Sequence, residues 1–206
     1  MKLCVFDFDS TLMDGETIDI LASLAGCEAE VSKITEAAMA GELDFFESLT
    51  RRVAFLKGVD AEKAKDRCAA LPFINGANEI ISALKAKEYR VIVFSGGFSM
   101  GTSPAREKLG FDMDFSNKLH EKDGLLTGLV GGEMMYSDSK GVMLSKLQSL
   151  LGVSYEDTIA VGDGANDASM FEFAAKKIAF CAKPKLKEKA NIIVDNKDLR
   201  EIEKYI

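Results

Sequence analysis

Short apolar runs recur along this 206-residue chain, and they constrain its fold more than any other feature. The runs read LCVF, RVIVFS, DTIAVGD, KIAFCA and NIIV. Runs of this length and character are typical of strands buried on both faces of a parallel sheet. Helix-like stretches lie between the later runs, including KGVMLSKLQSLLG, where Gly152 is placed as a C-cap. This alternation predicts an α/β fold, with helices on both faces of the sheet.

Residues 14–70 differ from the rest because they contain no convincing strand. They are predicted to form successive amphipathic helices at 16–25, 28–40, 42–57 and 60–70. We therefore expect two domains: a Rossmann-like parallel-sheet core, and a helical bundle inserted after the first strand. The core would comprise 1–13 and 71–206, and the inserted domain 14–70. A β-hairpin flap is also predicted in KDGLLTGLVGGEMMY, where Asp-Gly and Gly-Gly pairs punctuate short apolar pieces.

Charge and composition exclude several classes of protein. The formal charge is −7 and the sequence pI is about 4.9, which argues against a nucleic-acid or anionic-membrane surface. No apolar run approaches the roughly 20 residues that span a bilayer, and an acid at position 7 leaves no room for a secretory h-region. The four cysteines show no Cys-x-x-Cys spacing, and Cys4 and Cys181 lie in apolar runs typical of core positions. We expect a soluble protein of the reducing cytoplasm.

Polar residues stand where several predicted strands end. The first strand runs into Asp7 and Asp9, which share a face and lie roughly 6 to 7 Å apart if the chain stays extended. Two carboxylates so placed repel each other unless a cation holds them. Ligands of open α/β sheets bind at the carboxyl ends of the strands. We therefore expect this pair to belong to a site.

The other strand ends add to this set. FSGGF places Ser95 before Gly96 and Gly97, whose backbone N–H groups can approach an anion closely at the start of the next helix. VGDGANDASM places Asp163 and Asp167 about one helical turn apart. Lys140 lies near the start of another predicted helix. Together these residues form a candidate cluster of carboxylates, one lysine, one hydroxyl and a glycine turn.

Each of these features also has a simpler explanation when it is taken alone. Asp9 and Ser10 could cap the next helix, and the Ser-Gly-Gly stretch could be an ordinary strand-to-helix turn. Lys140 could be a solvated surface lysine, and the Gly-Asp-Gly at 162–164 is an easy turn sequence. The functional interpretation is favoured because all of these strand ends would otherwise have to carry such residues by accident.

The combination resembles the haloacid dehalogenase-like phosphatases, whose four motifs match DFDST, SGG, the lone Lys140 and GDGAND. Within that superfamily the likeness runs nearly end to end with members that act on phosphoserine. Its supporting stretches are ETIDILA, ITEAAMAGELDFFESLTRRV, KDGLLTG and IAFCAKPKLKEKA. One departure is Pro104, which is expected to interrupt the helix after SGGF.

The resemblance implies a role for each motif residue. Asp7 would be the nucleophile that accepts the phosphoryl group, and Asp9 the acid that protonates the leaving oxygen and later activates water. Mg²⁺ would be bound by the Asp7 carboxylate, the Asp9 carbonyl and Asp163. Lys140 would neutralise the clustered carboxylates and the transferring group.

The resemblance also implies contacts that hold the phosphate. Ser95 and the Gly96 amide would hydrogen-bond phosphate oxygens, and Gly97 would belong to the same substrate-binding turn. Asn166 would also contact the substrate, and with Asp167 it would support the metal and the lysine. His120, the only histidine, receives no catalytic role because the aspartates already supply the nucleophile and the acid.

The predicted helix at 42–57 carries the substrate hypothesis. Phe45, Leu49 and Arg52 project from one of its faces, and helix statistics alone would favour a core stripe that ends in a snorkelling arginine. The resemblance instead matches Arg52 to the group that binds a substrate carboxylate, and Glu16 to the group that binds its ammonium. It matches Met39 and Phe45 to an apolar lining of the site.

The implied activity is Mg²⁺-dependent hydrolysis of L-phosphoserine to serine and phosphate, the last step of serine biosynthesis. The protein would act on this small molecule as a monomer or homodimer, without nucleic acid or membrane partners. One alternative is a related phosphatase or phosphotransferase that acts on another small phosphate and lacks the Glu16 and Arg52 pair. A second is a signalling receiver domain, which also uses an aspartate, Mg²⁺ and a lysine but has no inserted helical domain.

Overall fold

The computed structural model describes all 206 residues and contains one seven-stranded sheet in the order β4-β3-β2-β1-β5-β6-β7. The strands are β1 (Lys2–Asp7), β2 (Tyr89–Phe98), β3 (Met113–Lys122), β4 (Leu125–Gly132), β5 (Thr158–Gly162), β6 (Lys176–Phe180) and β7 (Ile192–Val194). Every neighbouring pair is parallel except β3 and β4, which are antiparallel. The predicted α/β fold with a largely parallel sheet is confirmed.

Nine α-helices accompany the sheet. They are α1 (Thr17–Ala25), α2 (Glu28–Met39), α3 (Phe45–Ala54), α4 (Ala61–Ala69), α5 (Ala77–Ala86), α6 (Ser99–Leu109), α7 (Ser139–Leu151), α8 (Ala168–Phe171) and α9 (Pro184–Lys187). Short 3₁₀ helices lie at Ala165–Asp167 and Leu199–Tyr205. None of the helices combines the length and the apolar character needed to cross a membrane.

The sheet is buried on both faces because its central strands are apolar throughout. In β1, Cys4 and Phe6 face a core that also contains apolar side chains of α5 and α6, whereas Leu3 and Val5 face a core that contains those of α7 and α8. All four β1 side chains are inaccessible to solvent. Successive side chains of β1 point to opposite faces of the sheet, so the strand packs against helices on both sides.

The four helices α1 to α4 follow β1 directly and lie within the predicted helical ranges. Asp44 and Asp60 start α3 and α4, since their carboxylates accept hydrogen bonds from the amides of Glu47 and Lys63 at 2.7 and 2.9 Å. The four helices share their own apolar core, which also takes in Phe98 at the end of β2. This helical segment therefore packs against the carboxyl end of the sheet.

Three local features differ from the prediction. Ser95, Gly96 and Gly97 lie within β2, and α6 begins only at Ser99, so the glycines are not at a helix start. The helix α6 continues through Pro104, losing only the hydrogen bond that an amide there would donate. The Cys181 side chain, expected in the core, is exposed.

The hairpin of β3 and β4 turns at Asp123 and Gly124. Both have left-handed backbone angles, with φ of 53° and 77°. Two consecutive residues with positive φ are what a tight type I′ hairpin requires, and Asp-Gly is among its preferred sequences. The Asp-Gly pair therefore acts as the hairpin turn, while Gly131 and Gly132 belong to the end of β4.

Gly141 in α7 allows this helix to approach the start of α8 closely. A Cβ atom at position 141 would lie 2.5 Å from the carbonyl oxygen of Ser169, so the backbone would have to shift. We expect Gly141→Ala to destabilise the protein by about 1–3 kcal/mol, measured by urea unfolding, although alanine favours helices. Gly131→Ala is the control, because a Cβ there meets nothing within 4 Å. Equal loss in both variants would contradict the packing argument.

Candidate active site

Asp7 and Asp9 lie at the carboxyl end of β1, on either side of a fully buried Phe8. Asp7 is the last residue of the strand and is buried. The chain then bends sharply, with Ser10 in the left-handed region at φ 59°. The Phe8 ring packs into the hydrophobic core. The carboxylates of Asp7 and Asp9, on either side of it in the sequence, therefore point to the opposite side and face the same cavity.

The Asp9 carboxylate is held through both of its oxygens. Oδ1 accepts hydrogen bonds from the Thr17 amide at 2.7 Å and the Thr17 hydroxyl at 2.5 Å, and Oδ2 accepts one from the Ser95 hydroxyl at 3.2 Å. Burial raises the pKa of Asp9 above its ordinary value, and the Thr17 hydrogen bonds oppose this shift. The carboxyl group is therefore fixed in place and inclined to carry a proton.

Lys140 is 2% exposed and lies beside Asp7. Its ammonium donates hydrogen bonds to Oδ1 of Asp7 and to Oδ1 of Asp167, the latter at 2.5 Å. Burial alone would lower the pKa of Lys140, but the charges of Asp167 and Asp7 raise it above its ordinary value. The lysine is therefore charged at neutral pH, and it is not a surface residue.

Three carboxylates meet around this lysine. Oxygen atoms of Asp7, Asp163 and Asp167 lie within 4.8 Å of one another. Burial and the charge of Asp167 raise the pKa of Asp7 well above its usual range and that of Asp163 to about 6. One ammonium does not balance three carboxylates. An all-oxygen set of this kind suits a hard divalent cation.

Asp167 contributes to this set from a fixed position. Its Oδ2 accepts hydrogen bonds from the amides of Asp163 and Gly164 at 3.0 and 2.9 Å. Since its other oxygen binds Lys140, both oxygens of Asp167 are occupied within the protein. Asp167 therefore orients the loop after β5, while the Asp163 carboxylate is left to face the cavity.

Gly96 and Gly97 in β2 lie so close to neighbouring side chains that a larger residue would not fit without a shift. A Cβ atom at Gly96 would lie 2.8 Å from the Phe45 ring, and one at Gly97 would lie 2.6 Å from Oδ2 of Asp9. The Gly97 amide already donates a hydrogen bond to the Ser95 hydroxyl at 2.9 Å. Asn117 donates a hydrogen bond to the Gly96 carbonyl at 3.0 Å, which holds this strand end in position.

A cavity of about 120 Å³ opens above these strand ends. The core contributes one wall and the helical segment the other. Its lining residues are Asp7, Asp9, Glu16, Ile18, Phe45, Leu49, Arg52, Gly96, Gly97, Phe98, Asp163, Gly164, Asn166 and Lys183. Ser95, Lys140 and Asp167 lie behind this lining and contact it through hydrogen bonds.

Met39 is the one predicted site residue that neither lines the cavity nor hydrogen-bonds to a residue that does. Its side chain is 66% exposed at the end of α2 and does not line the cavity. Sequence reasoning cannot separate such a residue from a lining one, because its position depends on how α2 packs beside α3.

Glu16 and Arg52 line the cavity from the helical segment. Glu16 accepts a hydrogen bond from the Ser10 hydroxyl at 2.8 Å, and burial together with the charge of Asp9 raises its pKa to about 7. Burial lowers the pKa of Arg52, while the charge of Glu16 opposes the change. The Arg52 guanidinium forms no salt bridge, and its single hydrogen bond goes to the Ser48 carbonyl at 3.3 Å. Both groups are therefore available to a ligand.

Sequence reasoning missed three residues of the site. Thr17 holds Asp9, Asn117 holds Gly96, and Lys183 lines the cavity. Lys183 follows β6, so the rule that sites form at the carboxyl ends of strands could have found it. Thr17 and Asn117 act through hydrogen bonds across a loop or between strands, and the type and spacing of these residues do not reveal such contacts.

Comparison with known proteins assigns this chain to a family. The family model for haloacid dehalogenase-like hydrolases matches residues 1–174, and the chain therefore belongs to this family. Proteins named phosphoserine phosphatase are close relatives. One from Wolinella succinogenes is 63% identical over 202 residues, which are 98% of each chain, and one from Methanocaldococcus jannaschii is 52% identical over 100% of this chain and 97% of that one.

Solved structures agree with these relatives. A phosphoserine phosphatase described as a phospho-aspartyl intermediate analogue superposes with a TM-score of 0.94 at 52% identity, covering 100% of this chain and 98% of that chain. A substrate-bound phosphoserine phosphatase complex gives the same score, identity and coverage. The fold is therefore shared over the whole length of the chain.

Glu16 should make the ligand-free protein less stable as the pH rises. Its folded pKa of about 7 lies above its ordinary value of 4.5, so stability is lost as the pH rises through this interval. We expect Glu16→Gln and the wild type to be equally stable below about pH 4.5. Above about pH 7 the variant should be more stable by about 1–3 kcal/mol.

Urea unfolding across this pH range measures the difference. Glu107→Gln, on the exposed surface of α6, controls for the loss of one acidic group. If Glu16→Gln were less stable than the wild type above pH 7, the ionised Glu16 carboxylate would not destabilise the folded protein, and the prediction would be wrong.

Proposed function

We propose that this chain hydrolyses L-phosphoserine to L-serine and phosphate through an aspartyl-phosphate intermediate, as the last step of serine biosynthesis. The observation that carries the proposal is a single cavity that joins the Asp7 and Asp9 pair to Glu16 and Arg52. The pair can react with a phosphate ester, and the other two can bind an ammonium and a carboxylate. The names of the close relatives support the same substrate.

Asp7 is proposed as the nucleophile. One of its oxygens is held by Lys140 and the other by a longer contact from the Thr11 hydroxyl, at 3.4 Å. In the first step an Asp7 oxygen forms a bond to phosphorus while the bond from phosphorus to the serine oxygen breaks. The fixed ammonium favours the ionised carboxylate that this attack requires, and it offsets negative charge on the transferring group.

Asp9 is proposed as the acid and then the base. Its raised pKa favours a proton, which passes to the serine oxygen as that oxygen leaves. Asp9, now ionised, accepts a proton from the water that attacks phosphorus. Phosphate is released, the Asp7 carboxylate is restored, and Asp9 is protonated again. The Thr17 and Ser95 hydrogen bonds keep the carboxyl group oriented through both steps.

The metal is proposed to be Mg²⁺. Asp7, Asp163 and the Asp9 carbonyl would hold it, because they offer oxygen ligands beside a cavity where carboxylates outnumber nearby cations. When bound it would neutralise phosphate charge and hold the group in line for attack. Asp167 belongs to the same carboxylate cluster, but its hydrogen bonds make it a residue that orients the loop and Lys140.

Residues 14–70 are proposed to act as a cap domain over the core formed by 1–13 and 71–206. Glu16, Phe45 and Arg52 reach the cavity from this segment, so it supplies the groups that distinguish one phosphate ester from another. Closing the cavity excludes water and strengthens its electrostatic interactions. The four cysteines are free thiols, which supports a place in the reducing cytoplasm.

The direct test is phosphate release from a panel of phosphorylated small molecules with and without Mg²⁺. We expect L-phosphoserine to be preferred, with activity lost on chelation and restored by Mg²⁺. Asp7→Asn should abolish turnover while the circular dichroism spectrum is unchanged, because an amide cannot serve as the nucleophile. Rapid quench of the wild type with labelled phosphoserine should trap phosphate on Asp7. Label on Ser95 or His120 would overturn the mechanism.

Arg52 tests the substrate assignment. If its guanidinium pairs with the substrate carboxylate, Arg52→Ala should lower kcat/KM for phosphoserine by about 10- to 150-fold. Phosphoethanolamine has the same phosphate and ammonium but no carboxylate, so its hydrolysis should change little.

Arg51→Ala is the matched control for Arg52→Ala. Arg51 is the preceding residue of α3, and it pairs with Glu47 on the exposed surface, outside the cavity. This variant should behave as the wild type does with both substrates. An equal loss for phosphoserine and phosphoethanolamine in Arg52→Ala would make Arg52 a structural residue.

A further inference from the structure

Lys183 is a cation of the cavity to which the mechanism above assigns no role. It follows β6 and precedes α9, and its amide donates a hydrogen bond to the Asp163 carbonyl at 2.9 Å. The residue lines the cavity and is also exposed to solvent, which places it at the cavity mouth. Lys140 pairs with two aspartates and Lys187 with one, whereas Lys183 has no carboxylate within 4.0 Å.

Lys183 matters because carboxylates outnumber cations in the lining of the cavity. Asp7, Asp9, Glu16 and Asp163 line the cavity, and the whole chain carries a charge of −7. A phosphomonoester such as phosphoserine carries about −1.5 to −2 at neutral pH, since its carboxylate and ammonium cancel. Such a ligand must approach against repulsion. Arg52 and Lys183 are the two cationic residues in the lining, and Arg52 lies on the helical wall.

Lys183 acts electrostatically on both walls of the cavity. Its charge lowers the pKa of Glu16 on the helical side and of Asp163 on the core side, opposing the burial that raises both. Lys183 is therefore close enough to interact with Glu16 and Asp163, which lie on the two walls of the cavity that a ligand would enter. A cation at the mouth of a narrow cleft raises the local concentration of an anionic ligand.

We propose that Lys183 is the substrate-capture residue of this site, which attracts the phosphate group of the ligand into the cavity and takes no part in the chemical steps. The proposal deepens the proposed function and rests on it for the identity of the substrate. Because the attraction acts on the phosphate, it should not depend on a carboxylate in the ligand. Lys183 thus differs from Arg52, whose effect is specific to phosphoserine.

The test compares Lys183→Ala with Lys185→Ala. Lys185 lies two residues further along, is exposed, forms no salt bridge and does not line the cavity, so its loss changes the net charge equally. At an ionic strength of about 0.01 M we expect Lys183→Ala to lower kcat/KM roughly three- to tenfold through KM, with kcat within about twofold. The loss should be similar for phosphoserine and phosphoethanolamine.

Ionic strength separates this effect from a structural one. At about 0.5 M salt the difference between Lys183→Ala and the wild type should fall below about twofold, because the charges are screened. Lys183→Arg should restore most of the low-salt affinity, and Lys185→Ala should match the wild type. A loss that is independent of salt, a fall in kcat alone, or equal effects in the two alanine variants would overturn the proposal.

Binding of inorganic phosphate keeps the proposal testable without turnover. Titration calorimetry with Mg²⁺ and phosphate should show weaker binding to Lys183→Ala than to Lys185→Ala, with the same dependence on salt. If the wild type does not hydrolyse phosphoserine, the proposed function fails while this comparison still decides the role of Lys183. Equal phosphate binding by the two variants would reject substrate capture even in an active phosphoserine hydrolase.

Discussion

The buried contact of Lys140 with Asp7 and Asp167 is the interaction on which the rest of the site depends. Its three members come from α7, the end of β1 and the loop after β5, so it joins parts of the chain that are far apart in sequence. Removing such charges from water is costly, and the cost is offset only when each charge is closely partnered. The ammonium has two carboxylate partners, which also leaves the cluster with an excess of negative charge. That excess makes the strand ends suited to a divalent cation.

The cavity lies where two differently built parts of the protein meet. The parallel sheet supplies carboxylates at its carboxyl edge, because the ends of neighbouring parallel strands converge there. The helices between β1 and β2 supply Glu16, Phe45 and Arg52 from above. The Phe45 ring packs so closely against Gly96 that a Cβ atom there would lie 2.8 Å from it, which shows how closely the two parts fit. The stacked rings of Phe46 and Tyr136, 5.4 Å apart, add a second junction between α3 and the loop before α7. Under the proposed function, reactivity would reside on the sheet wall of the cavity and substrate selectivity on the helical wall.

Features that depend on local sequence patterns were predicted correctly, whereas features that depend on packing between distant residues were not. Strands such as β1 and β5 could be predicted because an unbroken apolar run suits a position buried on both faces. The helices α1 to α4 could be predicted because their apolar residues recur at helical spacing. Pro104 was expected to interrupt α6, yet the helix continues, since packing against the sheet outweighs the loss of one hydrogen bond. Met39 was expected to line the cavity, but its side chain is exposed at the end of α2.

The sequence by itself determined the class of fold and the candidate residues for the chemistry. Apolar runs and their polar ends are local patterns, so Asp7, Asp9 and Asp163 could be recognised without coordinates. Only the tertiary structure decided which groups are free to meet a ligand. Gly97 and Ser95 are already hydrogen-bonded to each other, Asp167 is fully occupied, and Lys183 stands unpaired at the mouth. These outcomes depend on distances between residues remote in the chain, which are set by packing and not by any local pattern.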